Sequence, residues 1–338
     1  MLSLEPHPLT AAAAATQPPV IEIRGLTVEF PTMAGPAGSA ISNLDLSIAA
    51  GEIFGLVGES GAGKTTLARS LLRLPPEPGR IAAGEIRFEG HDLMRMSEAT
   101  LRRMRGRDLS MIVPNPRSEL NPLLPVGEQI MTVARVHLGI PRREAARLAF
   151  DMLRAVQIPD PERRMTALPH ELSGGMAQRI VIAIALVCSP RFIVSDDATS
   201  GLDVTVQAQI LELLQRLAAD RGSAMLFITR DIGITAHLCD RIAVILNGEI
   251  MELAAREDFF FRPRNPYTIT LMAAFAHNEK LRRLWTRTAP ALEAASPAAA
   301  CPFLARCPLA RARCAEERPA LRELTPGHFS RCHFPVAR

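Results

Sequence analysis

The chain has 338 residues, 48% of them hydrophobic and 22% charged, with a formal net charge of +4. That length is enough to bury the core of one large domain or two. The small charge argues against a nucleic-acid partner, which needs a clustered basic face, and no run of about 18 uncharged apolar residues offers a membrane span.

Residues 1–19 contain Ala11–Ala15 without a preceding basic region, so they read as a loose tail rather than a secretory signal. The chain is therefore expected in the cytoplasm, with any membrane contact made through a partner. Val20–Phe30 alternates apolar and polar residues, as a half-buried strand does. Pro31–Ser39 should break that strand with Pro and Gly, and Ile41–Ile48 resumes the alternation. Glu52–Val57 is an apolar strand that runs into a glycine-rich turn, and Thr66–Leu74 reads as the helix after it.

Gly84–Glu89 and Arg107–Val113 suggest further strands. Val126–Val156 has helical periodicity with a break at Gly139–Pro141, and Gly174–Val187 is another helical run. Arg191–Ser195 is a buried strand, Val206–Ala219 a helix and Ser223–Thr229 a strand. Asn247-Gly248 is a hairpin turn between two apolar runs. Strands alternating with helices after a glycine loop predict an α/β fold with a mostly parallel, helix-covered sheet.

Gly58-Glu-Ser-Gly-Ala-Gly-Lys64-Thr65 fits the phosphate-loop pattern G-x-x-x-x-G-K-[ST]. Glycines let successive backbone N–H groups point at phosphate oxygens, and the following helix adds its positive end. Gly58, Glu59, Ser60, Gly61, Ala62, Gly63, Lys64, Thr65 and Thr66 are therefore expected to bind a nucleotide triphosphate. Lys64 would reach the β- and γ-phosphates and Thr65 would ligate Mg²⁺. Downstream, the apolar strand Arg191-Phe-Ile-Val-Ser ends in Asp196 and Asp197. The first acid suits the Mg²⁺ shell, and the second stands where a carboxylate would polarise the attacking water.

Leu172-Ser-Gly-Gly-Met176 lies just ahead of that strand, and Ser200-Gly-Leu-Asp203 just after it. Here the chain resembles the ABC ATPases, whose signature is LSGG and whose D-loop matches the second motif. Ser118-Glu-Leu-Asn-Pro122, Asp203-Val-Thr-Val-Gln-Ala-Gln-Ile210 and Asn265-Pro-Tyr-Thr268 are similar to the ATP-binding subunits of dipeptide, oligopeptide and nickel importers. The resemblance covers roughly residues 20–335. It implies an ABC cassette at 20–265, with an antiparallel β subdomain and a helical subdomain at about 115–178, and a C-terminal extension at 266–338.

The same resemblance implies ATP and Mg²⁺ as ligands, with Phe30 where an aromatic stacks on adenine or simply fills the strand's core. It implies a head-to-tail dimer with a second ATP-binding subunit, in which Ser173, Gly174, Gly175 and Asp203 act on the partner's nucleotide. Two membrane permease subunits and, indirectly, a substrate-binding protein complete the complex at the cytoplasmic face of the inner membrane. Peptides are the default cargo, with nickel, metal chelates and glutathione as alternatives. ABC ATPases of DNA repair or translation usually carry coiled-coil insertions or two cassettes, and this chain has one cassette without sustained heptads.

Three positions depart from the family. Its Q-loop reads like M-I-F-Q-D-P, whereas this chain has Met111-Ile-Val-Pro114-Asn-Pro116, and Pro114 offers neither a side-chain amide nor a backbone donor. The family's catalytic glutamate is Asp197, one methylene shorter, and a misplacement of about 1 Å can cost roughly 100-fold in rate. The switch histidine is Arg230, which donates only and cannot relay a proton. The expectation is a site that binds ATP and hydrolyses it poorly within a heterodimer, or else a regulatory scaffold subunit.

Of the six cysteines, Cys188 and Cys239 sit in apolar helical patterns, while Cys301, Cys307, Cys314 and Cys332 crowd the end with spacing C-x5-C-x6-C-x17-C. In a reducing compartment such clustering favours a metal over disulfides. Four thiolates hold zinc or an iron–sulfur cluster, and the resemblance to the importers' C-terminal extension implies a [4Fe–4S] cluster. His328 and His333 are nearby alternative ligands, read first as surface residues. The Ala289–Ala300 stretch reads as a linker, and the last segment as loops around a metal rather than a packed core.

Overall fold

The computed structural model describes residues 19–32, 35–275, 290, 292, 294, 296 and 299–337. Expectations for the tail at 1–18 and for about half of the 289–300 linker lie outside the described residues.

Strands β1 (Pro19–Thr32) and β2 (Gly35–Ala49) pair antiparallel. Their alternation places Ile21, Ile23, Val28, Ile41, Leu44, Leu46 and Ile48 inside. The Pro/Gly stretch interrupts them less than the sequence predicts, because both strands run nearly to its centre. Strands β4 (Arg80–Phe88) and β5 (His91–Asp92) complete this four-stranded sheet in the order β2-β1-β4-β5.

The second sheet contains β3 (Ile53–Val57), β6 (Leu109–Ile112), β7 (Phe192–Asp196), β8 (Ala224–Thr229), β9 (Arg241–Leu246) and β10 (Glu249–Ala255). It ends in a C-terminal hairpin, β11 (Leu321–Thr325) and β12 (His328–Arg331), giving the order β11-β12-β10-β9-β3-β8-β7-β6. The run from β9 to β6 is parallel and the other three strands are antiparallel. The sheet is thus parallel at its centre and mixed at one edge. That edge corrects the reading of the last segment as loops alone, since two of its stretches pair with each other and, through β12, with β10 to extend the sheet.

Helix α1 (Lys64–Leu71) follows the phosphate loop, and α2 (Glu98–Met104) follows β5. A helical region holds α3 (Pro116–Glu119), α4 (Val126–Leu138), α5 (Arg142–Ala155), α6 (Pro161–Arg164) and α7 (Gly174–Leu186). The expected break between α4 and α5 is there, with Gly139 at φ 66° capping α4. Helices α8 (Val204–Arg221), α9 (Ile232–Leu238), α10 (Arg256–Phe261), α11 (Pro266–Phe275) and α12 (Ala312–Glu316) complete the described helices.

The central strands are apolar throughout because both faces are covered. Ile193, Met225 and Phe227 pack with the helices α4, α5, α7 and α8 on one side. Phe192, Val194, Leu226 and Ile228 pack with α1 and the antiparallel sheet on the other. Each such fully buried side chain contributes roughly 1.5–3 kcal/mol. This two-sided burial fixes the strand ends, and those ends carry the site.

Candidate functional site

Parallel pairing brings the motif residues to one edge of the sheet. Val57 pairs with Thr229, Ile228 with Asp196, and Ser195 with Ile112. Gly58, Arg230, Asp197 and Pro114 therefore leave the carboxyl ends of four adjacent strands, where ligands bind in open α/β sheets.

The phosphate loop is held tightly. A Cβ on Gly58 would lie 2.4 Å from the Ile245 carbonyl oxygen, and one on Gly63 2.5 Å from that of Ala40. Gly63 also has φ 103°, which side chains rarely adopt. It caps α1 with no side-chain hydrogen bond, leaving the first amides of that helix available to an anion. Lys64 is buried, and its Nζ donates to the carbonyls of Gly58 and Glu59, both at 2.8 Å. Burial lowers its pKa, opposed by the nearby charges of Asp197 and Asp196.

Asp196 is 2% exposed, and its Oδ2 has no hydrogen-bond partner. Burial raises the carboxyl above the usual carboxylate range, and a hydrogen bond from Thr65 opposes the shift. An orphaned, buried carboxylate oxygen beside a threonine hydroxyl fits the hard-oxygen donor set of Mg²⁺.

Asp197 has φ 47°, and its amide donates to the Ile228 carbonyl at 3.0 Å. Arg230 Nε donates to Asp197 Oδ2 at 3.2 Å, and a terminal guanidinium nitrogen donates to Ser200 Oγ at 3.0 Å. The Asp197 carboxylate is thus engaged by the Arg230 side chain. Pro114 is half-buried, and the next residue, Asn115, is left-handed at φ 59°.

Ser173 caps α7, its Oγ accepting from Met176 N at 3.3 Å. Asp203 caps α8 through Val206 N at 3.0 Å. Gly175 packs against α8, where an added Cβ would meet Val206 Cγ1 at 2.9 Å, while Gly174 faces open space. No hydrogen bond or ion pair among the described residues joins Ser173, Gly174 or Gly175 to this chain's phosphate loop. Phe30 is half-buried with its ring against the turn at Gly79, so it packs locally at the rim of the antiparallel sheet.

Cys301, Cys307, Cys314 and Cys332 line one apolar pocket with Phe303, Leu304 and Phe334. Burial pushes the Cys307 thiol up to about 12 and the Cys332 thiol to about 11, and neighbouring cysteines add to both shifts. Among the described residues no three Cys, His, Asp or Glu are arranged to hold one ion. His328, expected at the surface, is instead 3% exposed and lies 2.7 Å from the fully buried Glu252. Its neighbours on the C-terminal hairpin gave no sequence sign of that burial. His333 is half-buried, lies at the pocket's wall and bonds the Glu317 carbonyl at 2.9 Å.

A family model described as ABC transporter matches residues 41–200, and one described as the oligopeptide/dipeptide transporter C-terminal region matches 251–314. A probable peptide ABC transporter ATP-binding protein of Sinorhizobium fredii is 41% identical over 87% of this chain and 88% of its own length. The oligopeptide transport ATP-binding protein OppD of Salmonella typhimurium is 38% identical over 97% of this chain and 99% of its own. The chain belongs to the ABC-transporter ATP-binding proteins, in their peptide-transport branch. A solved dimeric bacterial ABC transporter cassette has the same fold, with a TM-score of 0.63, 25% identity and coverage of 70% of this chain and 98% of that one.

As an ABC-transporter ATP-binding protein, this chain carries the ATPase fold of a transporter complex. No helix among its described residues is long and apolar enough to cross a membrane. Arg306, which contacts the phosphate loop from the cysteine segment, escaped the sequence reading, because nothing local marks one arginine among many.

Proposed function

We propose that this chain is the ATP-binding subunit of a peptide importer whose own site holds MgATP but cleaves it slowly. The observation that carries the reading is the Arg230–Asp197 ion pair, in a site where the groups that bind phosphate and Mg²⁺ are intact. Lys64 and the amides of α1 hold the phosphates. Thr65 and Asp196 would hold Mg²⁺, which would supply positive charge to the bound phosphates.

Water activation is the weak step. Asp197 is short and engaged, Arg230 has no lone pair to take a proton, and Pro114 lacks an amide to orient water. Arg230 is placed to turn toward a γ-phosphate, whose charge competes with that of Asp197. Ser173, Gly174, Gly175 and Asp203 complete the site of a different ATP-binding subunit, so the assembly is a heterodimer with one efficient site, docked on two permease subunits at the cytoplasmic face of the membrane. Phe30 offers a ring face to adenine.

The purified chain should bind a fluorescent ATP analogue with little turnover. Robust turnover that Asp197→Asn abolishes would sink this reading.

The cysteine pocket is the proposed place of a [4Fe–4S] cluster with a structural role. What supports this is that all four thiols line one pocket, and four thiolates are the usual ligand set of such a cluster. Bound, the cluster would supply the positive charge that buried thiolates need. Iron and sulfide analysis of anaerobically purified protein tests this, and stoichiometric zinc without iron would overturn it.

A further inference from the structure

The phosphate loop has a neighbour from the far end of the chain. Arg306 donates to Glu59 Oε1 at 2.8 Å across 247 positions of sequence. Glu59 is the second residue of the loop, and its own carbonyl receives the Lys64 ammonium. The Arg306 guanidinium is held by more than this ion pair. It lies 5.4 Å from the Phe303 ring centroid and 5.9 Å from that of Tyr267. Those two rings are buried and stand 5.1 Å apart. Phe303 also lines the cysteine pocket, and Arg306 directly precedes Cys307.

Glutamate is an awkward residue beside a polyphosphate, because its charge repels the ligand. An arginine fixed on two aromatic faces cancels that charge and draws the side chain away from the phosphates. It also pins the first turn of a loop whose binding power depends on the aim of its backbone amides. The side chains of the pair are 51% and 40% exposed, so the effect is modest and its value lies in placement.

We propose that Arg306 is a positioning residue for the nucleotide: it clamps Glu59, keeps the phosphate loop in its binding shape, and makes ATP affinity depend on the packing of the cysteine pocket. The proposal rests on the phosphate loop being the nucleotide site.

Equilibrium titration of the full chain with a fluorescent ATP analogue tests it, with thermal melting as the control for folding. Arg306→Gln should weaken binding by about two- to fivefold. In a Glu59→Gln background the same change should have no effect. Arg306→Lys, which keeps the charge, should fall between wild type and Arg306→Gln. Cys307→Ser should weaken binding in the wild-type background and not in Arg306→Gln. The proposal is overturned by wild-type affinity in Arg306→Gln, by an equal loss in the Glu59→Gln background, by Lys and Gln variants of equal affinity, or by a Cys307→Ser loss that persists without Arg306. Unchanged binding by Lys64→Ala would instead remove the nucleotide site itself from this loop.

Discussion

Arg230 and Asp197 meet across the ends of two neighbouring strands, Nε to Oδ2 at 3.2 Å. In the proposed function the pair joins the residue that would sense the γ-phosphate to the residue that would polarise water. As arginine and aspartate, the two satisfy each other. Restoring the family's chemistry with Asp197→Glu, Arg230→His and Pro114→Gln in one chain should raise turnover by about 10- to 100-fold, the range that carboxylate placement commands. Steady-state phosphate release measures it, and no gain would show that the limit lies elsewhere.

Lys64→Ala should weaken ATP binding by at least about tenfold, since it removes a buried cation from the phosphates. The fold should survive, because among the described residues the hydrogen bonds of Lys64 go to carbonyls of its own loop. Analogue titration beside a melting curve separates binding from stability.

Acid should weaken Mg²⁺-dependent nucleotide binding early. Burial raises the Asp196 carboxyl, so its protonated form gains population at a pH where an ordinary carboxylate, with a pKa near 4, is still charged. Protons then compete with Mg²⁺ for the same oxygens. Affinity should fall as pH is lowered toward that ordinary value from above, and Asp196→Asn should be weak and flat over the range. Wild-type affinity that stays constant down to about pH 4 would contradict the assignment.

The two signature glycines should separate by mutation. Gly174→Ala places its methyl in open space on helical backbone, so the melting midpoint should hold while hydrolysis by the partner subunit falls. Gly175→Ala drives a methyl to 2.9 Å from Val206 Cγ1 and should lower stability as well, by about 1–3 kcal/mol. Melting of the single chain and turnover of the two-subunit complex give the two readouts.

His328→Ala should destabilise the fold by about 1–3 kcal/mol, because it removes a hydrogen-bond partner from the fully buried Glu252 carboxylate. Glu252 keeps the amides of Arg264 and Asn265, which limits the loss. Denaturant unfolding measures the change, and nucleotide affinity should alter far less than stability.

The sequence by itself determined the nucleotide chemistry of this protein. A glycine loop between an apolar strand and a helix, an apolar strand ending in acids, and LSGG are local patterns. Each works through its own backbone, so adjacent residues record it. Pro114, Asp197 and Arg230, the three positions proposed to slow hydrolysis, were legible for the same reason, since each sits inside a recognisable motif. Tertiary structure alone decided which of these residues touch. The Arg230–Asp197 pair needs β7 and β8 to lie side by side, and the Arg306–Glu59 contact needs the cysteine segment to return to the phosphate loop. The C-terminal hairpin was missed because its strands are short and carry no clean apolar alternation; β12 is held by pairing with β10, and β11 by pairing with β12. His328 was misread because burial follows from that pairing, and a lone histidine in a short polar stretch carries no local trace of the carboxylate that will face it.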